Sequence, residues 1–89
     1  MKGRELLAWN VRHLRVQRGL SQEVLAADAS VDRAYLAKVE RHEANTGVDV
    51  LDKLAFALGV EIADLFARPT EGAKPPEVLR GGRKTKRAQ

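Results

Sequence analysis

The stretch SQEVLAADASVDRAYLAKVER, Ser21 to Arg41, contains two short helical patterns that meet at AADAS. Ser21 is typical of a helix N-cap, because its hydroxyl can accept hydrogen bonds from backbone N–H groups of the first turn. Asp32 stands in the equivalent position before the second pattern. The residues predicted to be buried on these two helices are Val24, Leu25, Ala29, Leu36 and Val39. The segment therefore predicts two helices joined by a tight turn.

Small and apolar residues recur at fixed offsets around this turn. Two helices that pack at a steep angle across a three- or four-residue turn need a small residue where their backbones approach, and apolar residues on both sides. Counted from Gln22, the fourth, fifth, eighth, tenth, fifteenth and eighteenth positions are Leu25, Ala26, Ala29, Val31, Leu36 and Val39. This spacing predicts a helix-turn-helix.

Helical spacing also dominates the flanking sequence, so we predict an all-α fold, a compact bundle of five helices in which helices 2 and 3 form the helix-turn-helix. A first helix over residues 4–18 ends at Gly19, and a fourth over residues 48–58 ends at Gly59. A short fifth helix covers residues 62–66. The apolar stripes of these three helices are Leu7, Val11 and Leu14; Val48, Leu51, Leu54, Ala55 and Leu58; and Ile62, Leu65 and Phe66.

Composition argues against several functional classes. A chain of 89 residues has room for one small domain, which disfavours an elaborate enzyme. There is no Cys, and neither a membrane span nor a signal peptide is evident, so a cytoplasmic protein is expected. No nucleophile is paired with a base, and His13 and His42 lack metal-ligand spacing. We expect no catalysis, no metal or other cofactor, no small-molecule ligand and no membrane contact.

The positive charge of the chain is concentrated at its C-terminal end. Residues 1–66 hold nine Lys and Arg against ten acids, whereas residues 67–89 hold seven against two. The last stretch contains few large apolar residues. We therefore predict a folded helix-turn-helix domain over residues 1–68 and a disordered basic tail over residues 69–89. The tail either contacts DNA or is a solubilising extension.

The pattern around the turn resembles the lambda-repressor and Cro-like family of helix-turn-helix DNA-binding domains. The resemblance covers about Leu7 to Phe66 and includes LSQ at Leu20–Gln22, VER at Val39–Arg41 and LAFALGVEIADLF at Leu54–Phe66. Within that family, RAYLAKVERHEAN is most similar to the restriction-modification controller proteins. This resemblance implies a transcription regulator that binds double-stranded DNA and is associated with the nucleoid.

Three positions depart from the family pattern. Ser30 stands where a glycine with positive φ is usual, so the turn is either strained or bends differently. His42 replaces a frequent glycine after the third helix, and Thr46 replaces a frequent proline before the fourth. Two of these departures, at residues 42 and 46, therefore lie next to or within the loop over residues 43–47.

The candidate DNA contacts lie on the third helix, at the start of the second helix and in the loop after the third. Arg33 suits the bidentate hydrogen bonding of a guanine, while Lys38 and Ala34 are candidates for base edges. Gln22, Tyr35 and Arg41 are candidates for phosphate contacts, and the resemblance adds Asn45 in the following loop. The alternatives are that Arg33 and Lys38 are ordinary solvated charges and that Tyr35 simply packs. The resemblance also implies a structural ion pair between Arg15 and Glu40.

A homodimer on a palindromic site is expected, because one such domain covers only a few base pairs. The candidate interface residues are Phe56, Val60, Ile62 and Phe66, which would otherwise belong to the core. A different class of function stays open. The same helices could form a protein-interaction module, such as an antitoxin or an anti-activator, since the net charge of −1 over residues 1–66 attracts DNA only weakly.

Overall fold

The computed structural model describes residues 1–69, in which four α-helices are followed by one 3₁₀ helix and no strand occurs. The elements are α1 (Gly3–Gln17), α2 (Gln22–Ala29), α3 (Arg33–Glu40), α4 (Val48–Leu58) and the 3₁₀ helix (Ile62–Phe66). The all-α class is confirmed for these residues, but a count of five α-helices is not, because the short fifth helix predicted over residues 62–66 is a 3₁₀ helix. A segment of five residues is short enough to favour the tighter i→i+3 bonding of a 3₁₀ helix. The predicted basic tail lies outside the described residues apart from Pro69.

The helix ends follow from particular residues. The hydroxyl of Ser21 accepts a hydrogen bond from the Val24 N–H at 3.0 Å, which caps α2 as predicted. Gly59 ends α4 with a φ of 73°, and Gly19 follows α1 with a φ of 68°. Asp32 occupies the N-cap position of α3, but its side chain makes no capping hydrogen bond. The α3 helix therefore begins after Asp32, as predicted, but the predicted side-chain cap is not formed.

The core lies at the centre of the helices, and two predicted core residues are outside it. Val24 is 46% exposed because it lies about 150° around α2 from the middle of the buried arc. Val48 is 66% exposed; it is the first residue of α4, whose buried stripe begins one turn later. The largest fully buried side chains are Val11, Leu25, Leu36, Leu54, Leu58 and Leu65.

The turn between α2 and α3 adopts the conformation that usually requires glycine. Ser30 has φ 58° and ψ 42°, and the next N–H, that of Val31, donates to the Ala26 carbonyl at 2.9 Å. Of the two possibilities that the sequence left open, the structure has the strained one. A non-glycine residue in this region costs about 1–2 kcal/mol. His42, after α3, is likewise left-handed with a φ of 67°.

One buried polar side chain joins the two ends of the domain. Asn10 of α1 is 8% exposed, and its Nδ2 lies 3.1 Å from the carbonyl oxygen of Leu65 and 2.8 Å from that of Ala67. The same nitrogen lies 2.9 Å from the Leu6 carbonyl within α1. A buried amide needs such partners, so Asn10 fixes the 3₁₀ helix against α1. No pattern in the sequence indicates this role of Asn10.

Candidate nucleic-acid interface

The outward face of α3 carries all three residues predicted to contact bases. Arg33, Ala34 and Lys38 are exposed, and at about 100° per residue they lie within an arc of about 140° on the helix. Leu36 and Val39 are buried on the opposite side. The α3 helix therefore presents two cations with small side chains between them, because Ala37, partly exposed, lies in the same arc. Ala37 was not among the residues predicted to contact bases.

The start of α2 is connected to α3 by a network of charged hydrogen bonds. Arg15 Nε donates to Glu40 Oε2 at 2.7 Å and Arg15 Nη2 donates to Glu40 Oε1 at 3.0 Å. Gln22 Nε2 donates to the same Oε1 at 3.0 Å. The two charged side chains are 14% and 5% exposed. The ion pair implied by the resemblance is thus present, and Gln22 donates a hydrogen bond to its carboxylate.

Tyr35 lies between α3 and the loop that leads to α4. Its ring is partly buried against the core, and its hydroxyl lies 3.3 Å from the hydroxyl oxygen of Thr46. The ring of Tyr35 therefore packs, as one of the two alternatives predicted, while its hydroxyl lies next to the loop. Thr46, which stands where the family frequently has proline, is therefore a polar neighbour of Tyr35.

The other two candidate phosphate contacts are on the surface. Arg41 Nη2 lies 3.2 Å from Glu43 Oε1, and both side chains are more than half exposed. An exposed pair of this kind contributes little stability, so Arg41 can exchange its partner at small cost. Asn45 is exposed in the loop between α3 and α4. Both residues follow within five positions of Glu40, the last residue of α3.

Comparison with known proteins identifies the family. The helix-turn-helix family matches residues 11–65, which is more than half of the chain and includes α2, the turn and α3. The chain belongs to the Cro/C1-type helix-turn-helix family. This family comprises DNA-binding transcription regulators, and its match includes α2, α3, α4 and the C-terminal part of α1 that carries Arg15.

Individual relatives of this helix-turn-helix chain include restriction-modification controllers. Control protein C.SmaI from Serratia marcescens is 42% identical over 65 residues, which are 73% of this chain and 77% of that protein. The crystal structure of the controller C.AhdI from Aeromonas hydrophila is 40% identical with a TM-score of 0.69, covering 71% of this chain and 96% of that one. The hypothetical transcription factor NHTF from Neisseria is 41% identical with a TM-score of 0.75, covering 80% and 82%.

A second exposed surface of this helix-turn-helix domain lies between α4 and the 3₁₀ helix. Phe56, in the last turn of α4, is 87% exposed. With Val60 and Ile62, both partly buried, it lines a shallow groove that also includes Asp52 and Glu61. Three of the four predicted interface residues are therefore together. Phe66 is partly buried against the core and does not line the groove.

The described part of the helix-turn-helix domain shows no sign of two other kinds of site. Within residues 1–69, no three His, Cys, Asp or Glu side chains are grouped so that they could hold a metal ion. In the same range no helix has the length and apolar character needed to cross a bilayer.

Proposed function

We propose that this chain binds double-stranded DNA in a sequence-specific manner, as a homodimer on a palindromic operator, and regulates transcription from that site. The observation that carries the proposal is the outward face of α3. Its two cations, Arg33 and Lys38, project from a helix whose opposite side is packed into the core. A helix with this arrangement fits the major groove of B-DNA.

The base contacts are assigned to Arg33, Ala34 and Lys38. Arg33 is the first residue of α3 and is exposed, so its guanidinium can reach O6 and N7 of a guanine in a bidentate arrangement. Ala34 allows the helix to approach the base edges or touches a thymine methyl. Lys38, one turn after Ala34, contacts a base edge or the adjacent phosphate.

The phosphate contacts are assigned to the borders of this face. Gln22 lies at the N-terminus of α2, where backbone N–H groups and the helix dipole favour an anion. Tyr35, Arg41 and Asn45 contact the backbone on the other side, from α3 and from the loop that follows it. Contacts of this kind set the register of the domain on the duplex without reading its sequence.

The dimer interface is assigned to the groove around Phe56. A phenylalanine that is 87% exposed places a large apolar surface in water, and covering it with a second copy would be favourable. Val60 and Ile62 extend that surface, and Phe66 supports it from the core. Two recognition helices about one DNA turn apart, roughly 34 Å, would then read the two half-sites.

The basic tail is assigned an auxiliary role. In this proposal residues 1–68 form the DNA-binding domain, and residues 69–89, which hold all of the net positive charge, add affinity without adding much sequence preference. A regulator of this kind would act in the cytoplasm, associated with the nucleoid.

The alternative function is a protein-interaction module, such as an antitoxin or an anti-activator. It is favoured by the exposed Phe56 and by the net charge of −1 over residues 1–66. The two functions differ in a gel-shift or filter-binding test with genomic fragments. Enrichment of a particular duplex sequence supports the regulator, and the absence of any preferred duplex supports the interaction module.

The residue-level experiment compares three single variants on the selected duplex and on its point variants. Arg33→Ala should cost roughly 1 to 3 kcal/mol per half-site and relax the preference at one base pair. Gln22→Ala should weaken binding to all sequences alike. Lys53→Ala is the matched control, because it removes one exposed positive charge from α4 rather than from α3. The assignment of Arg33 is refuted if Arg33→Ala retains wild-type affinity and preference.

A further inference from the structure

We propose that Glu40, held by Arg15, is a positioning residue for phosphate binding, because it fixes the orientation of the Gln22 side-chain amide. This inference rests on the proposed function, since it explains how the phosphate contact at the start of α2 is prepared. It also gives the Arg15–Glu40 pair a role in DNA binding in addition to joining α1 and α3.

The hydrogen-bonding chemistry of the network leaves one orientation for the amide. A carboxylate accepts hydrogen bonds and cannot donate them, so the group of Gln22 that faces Glu40 Oε1 at 3.0 Å must be its NH₂. One N–H of that group points to Glu40, and the other is directed away from it. The second N–H is the one that a phosphate oxygen can accept.

Without the hydrogen bond to Glu40, no contact within residues 1–69 would favour this orientation of the Gln22 amide. The two ends of a glutamine amide have nearly the same shape, so a rotation of 180° would exchange the NH₂ for the carbonyl oxygen. Turning the oxygen toward a phosphate would replace an attraction by a repulsion. A side chain that is already oriented also loses less conformational freedom on binding.

Arg15 holds both Glu40 and the backbone before α2. Its Nε and Nη2 bind the two carboxylate oxygens, and its Nη1 donates to the Leu20 carbonyl at 2.8 Å. Leu20 immediately precedes Ser21, the N-cap of α2. The guanidinium therefore fixes the carboxylate and the first backbone groups of α2 together. It also balances the negative charge that Glu40 would otherwise present near a phosphate.

The test is a double-mutant cycle on DNA affinity with Gln22→Ala and Glu40→Gln. Removing the charge of Glu40 also changes the general attraction of DNA, but that effect does not depend on residue 22 and cancels in the cycle. We expect Glu40→Gln to weaken binding about threefold to tenfold more in the wild-type background than in Gln22→Ala. In the Arg33→Ala background, its effect should equal that in wild type. An equal effect in the wild-type and Gln22→Ala backgrounds overturns the inference.

A second variant is needed because breaking a partly buried ion pair can prevent folding. Arg15→Lys leaves the net charge unchanged, yet a lysine cannot hold both oxygens of Glu40 and the Leu20 carbonyl. A double-mutant cycle of Arg15→Lys with Gln22→Ala should show a coupling energy in DNA affinity of the same sign as the cycle with Glu40→Gln. In the free protein, the NMR signals of the Gln22 NH₂ should be shifted and resistant to exchange in wild type, and should lose both features in Arg15→Lys. Gln22 signals that are identical in the two proteins also overturn the inference.

The outcomes separate this inference from the proposed function. If wild type has no preferred duplex, the proposed function fails and the inference fails with it. If Arg33→Ala and Gln22→Ala both weaken binding but neither cycle shows coupling, the function stands and only the positioning role of Glu40 is refuted.

Discussion

Replacement of Ser30 by glycine should stabilise the domain. Ser30 is exposed and left-handed, with φ 58° and ψ 42°, which costs a non-glycine residue about 1–2 kcal/mol. Glycine removes this cost but gains freedom in the unfolded chain, which subtracts about 0.4–1 kcal/mol. The midpoints of these two ranges differ by about 0.8 kcal/mol, which is the expected net gain in the free energy of unfolding. For a domain of this size it corresponds to a rise in Tm of roughly 2–8 °C.

Thermal and urea unfolding, both followed by far-ultraviolet circular dichroism, measure this change. The urea midpoint should rise without a change in slope, which indicates that stability has changed rather than compactness. Ser30→Ala is the matched control: it removes the hydroxyl and keeps the Cβ that causes the strain. The Ser30 hydroxyl makes no hydrogen bond to the described residues, so Ser30→Ala should be close to neutral.

The result that refutes this reasoning is a glycine variant no more stable than wild type. A gain of equal size in Ser30→Ala would also contradict it, because the effect could then not arise from the backbone conformation. His42→Gly offers an independent repetition, since His42 has a φ of 67° and is exposed. DNA affinity should stay unchanged in Ser30→Gly if the turn geometry is preserved.

Three further changes have distinct expected outcomes. Phe56→Ala should leave the free energy of unfolding within about 0.5 kcal/mol, since its side chain is exposed; sedimentation should show a weaker dimer, and an unchanged one would exclude Phe56 from the interface. Deleting residues 75–89 should flatten the slope of log affinity against log salt by roughly two to four, and an unchanged slope would leave the tail without a role on DNA. Burial, and secondarily Arg18, lower the pKa of His13 from its ordinary value of 6.5. The folded state thus binds fewer protons than the unfolded state, and stability should fall as the pH drops below about 6.5. His13→Gln should reduce that fall between pH 7 and 5, and a profile identical to wild type would contradict the assignment.

Much of the domain follows from short-range patterns in the sequence. Ser21 and Gly59 end helices through groups only a few residues away, and these interactions are present in any chain that forms the helix. The offsets of Leu25, Ala29 and Leu36 around the turn indicate the helix-turn-helix because helical periodicity alone decides which residues share a face. The exposure of Arg33 and Lys38 on α3 follows from the same periodicity.

The tertiary structure decided which distant groups meet. Asn10 reaches the carbonyl oxygens of Leu65 and Ala67, more than fifty residues away, and Gln22 shares Glu40 with Arg15. Neither contact has a sequence pattern, because both depend on the angles and distances at which packed helices cross. Those angles come from the fit of the whole core. The sequence therefore determined the helices and the face that α3 presents, while the packing of the helices determined how the residues beside that face are held.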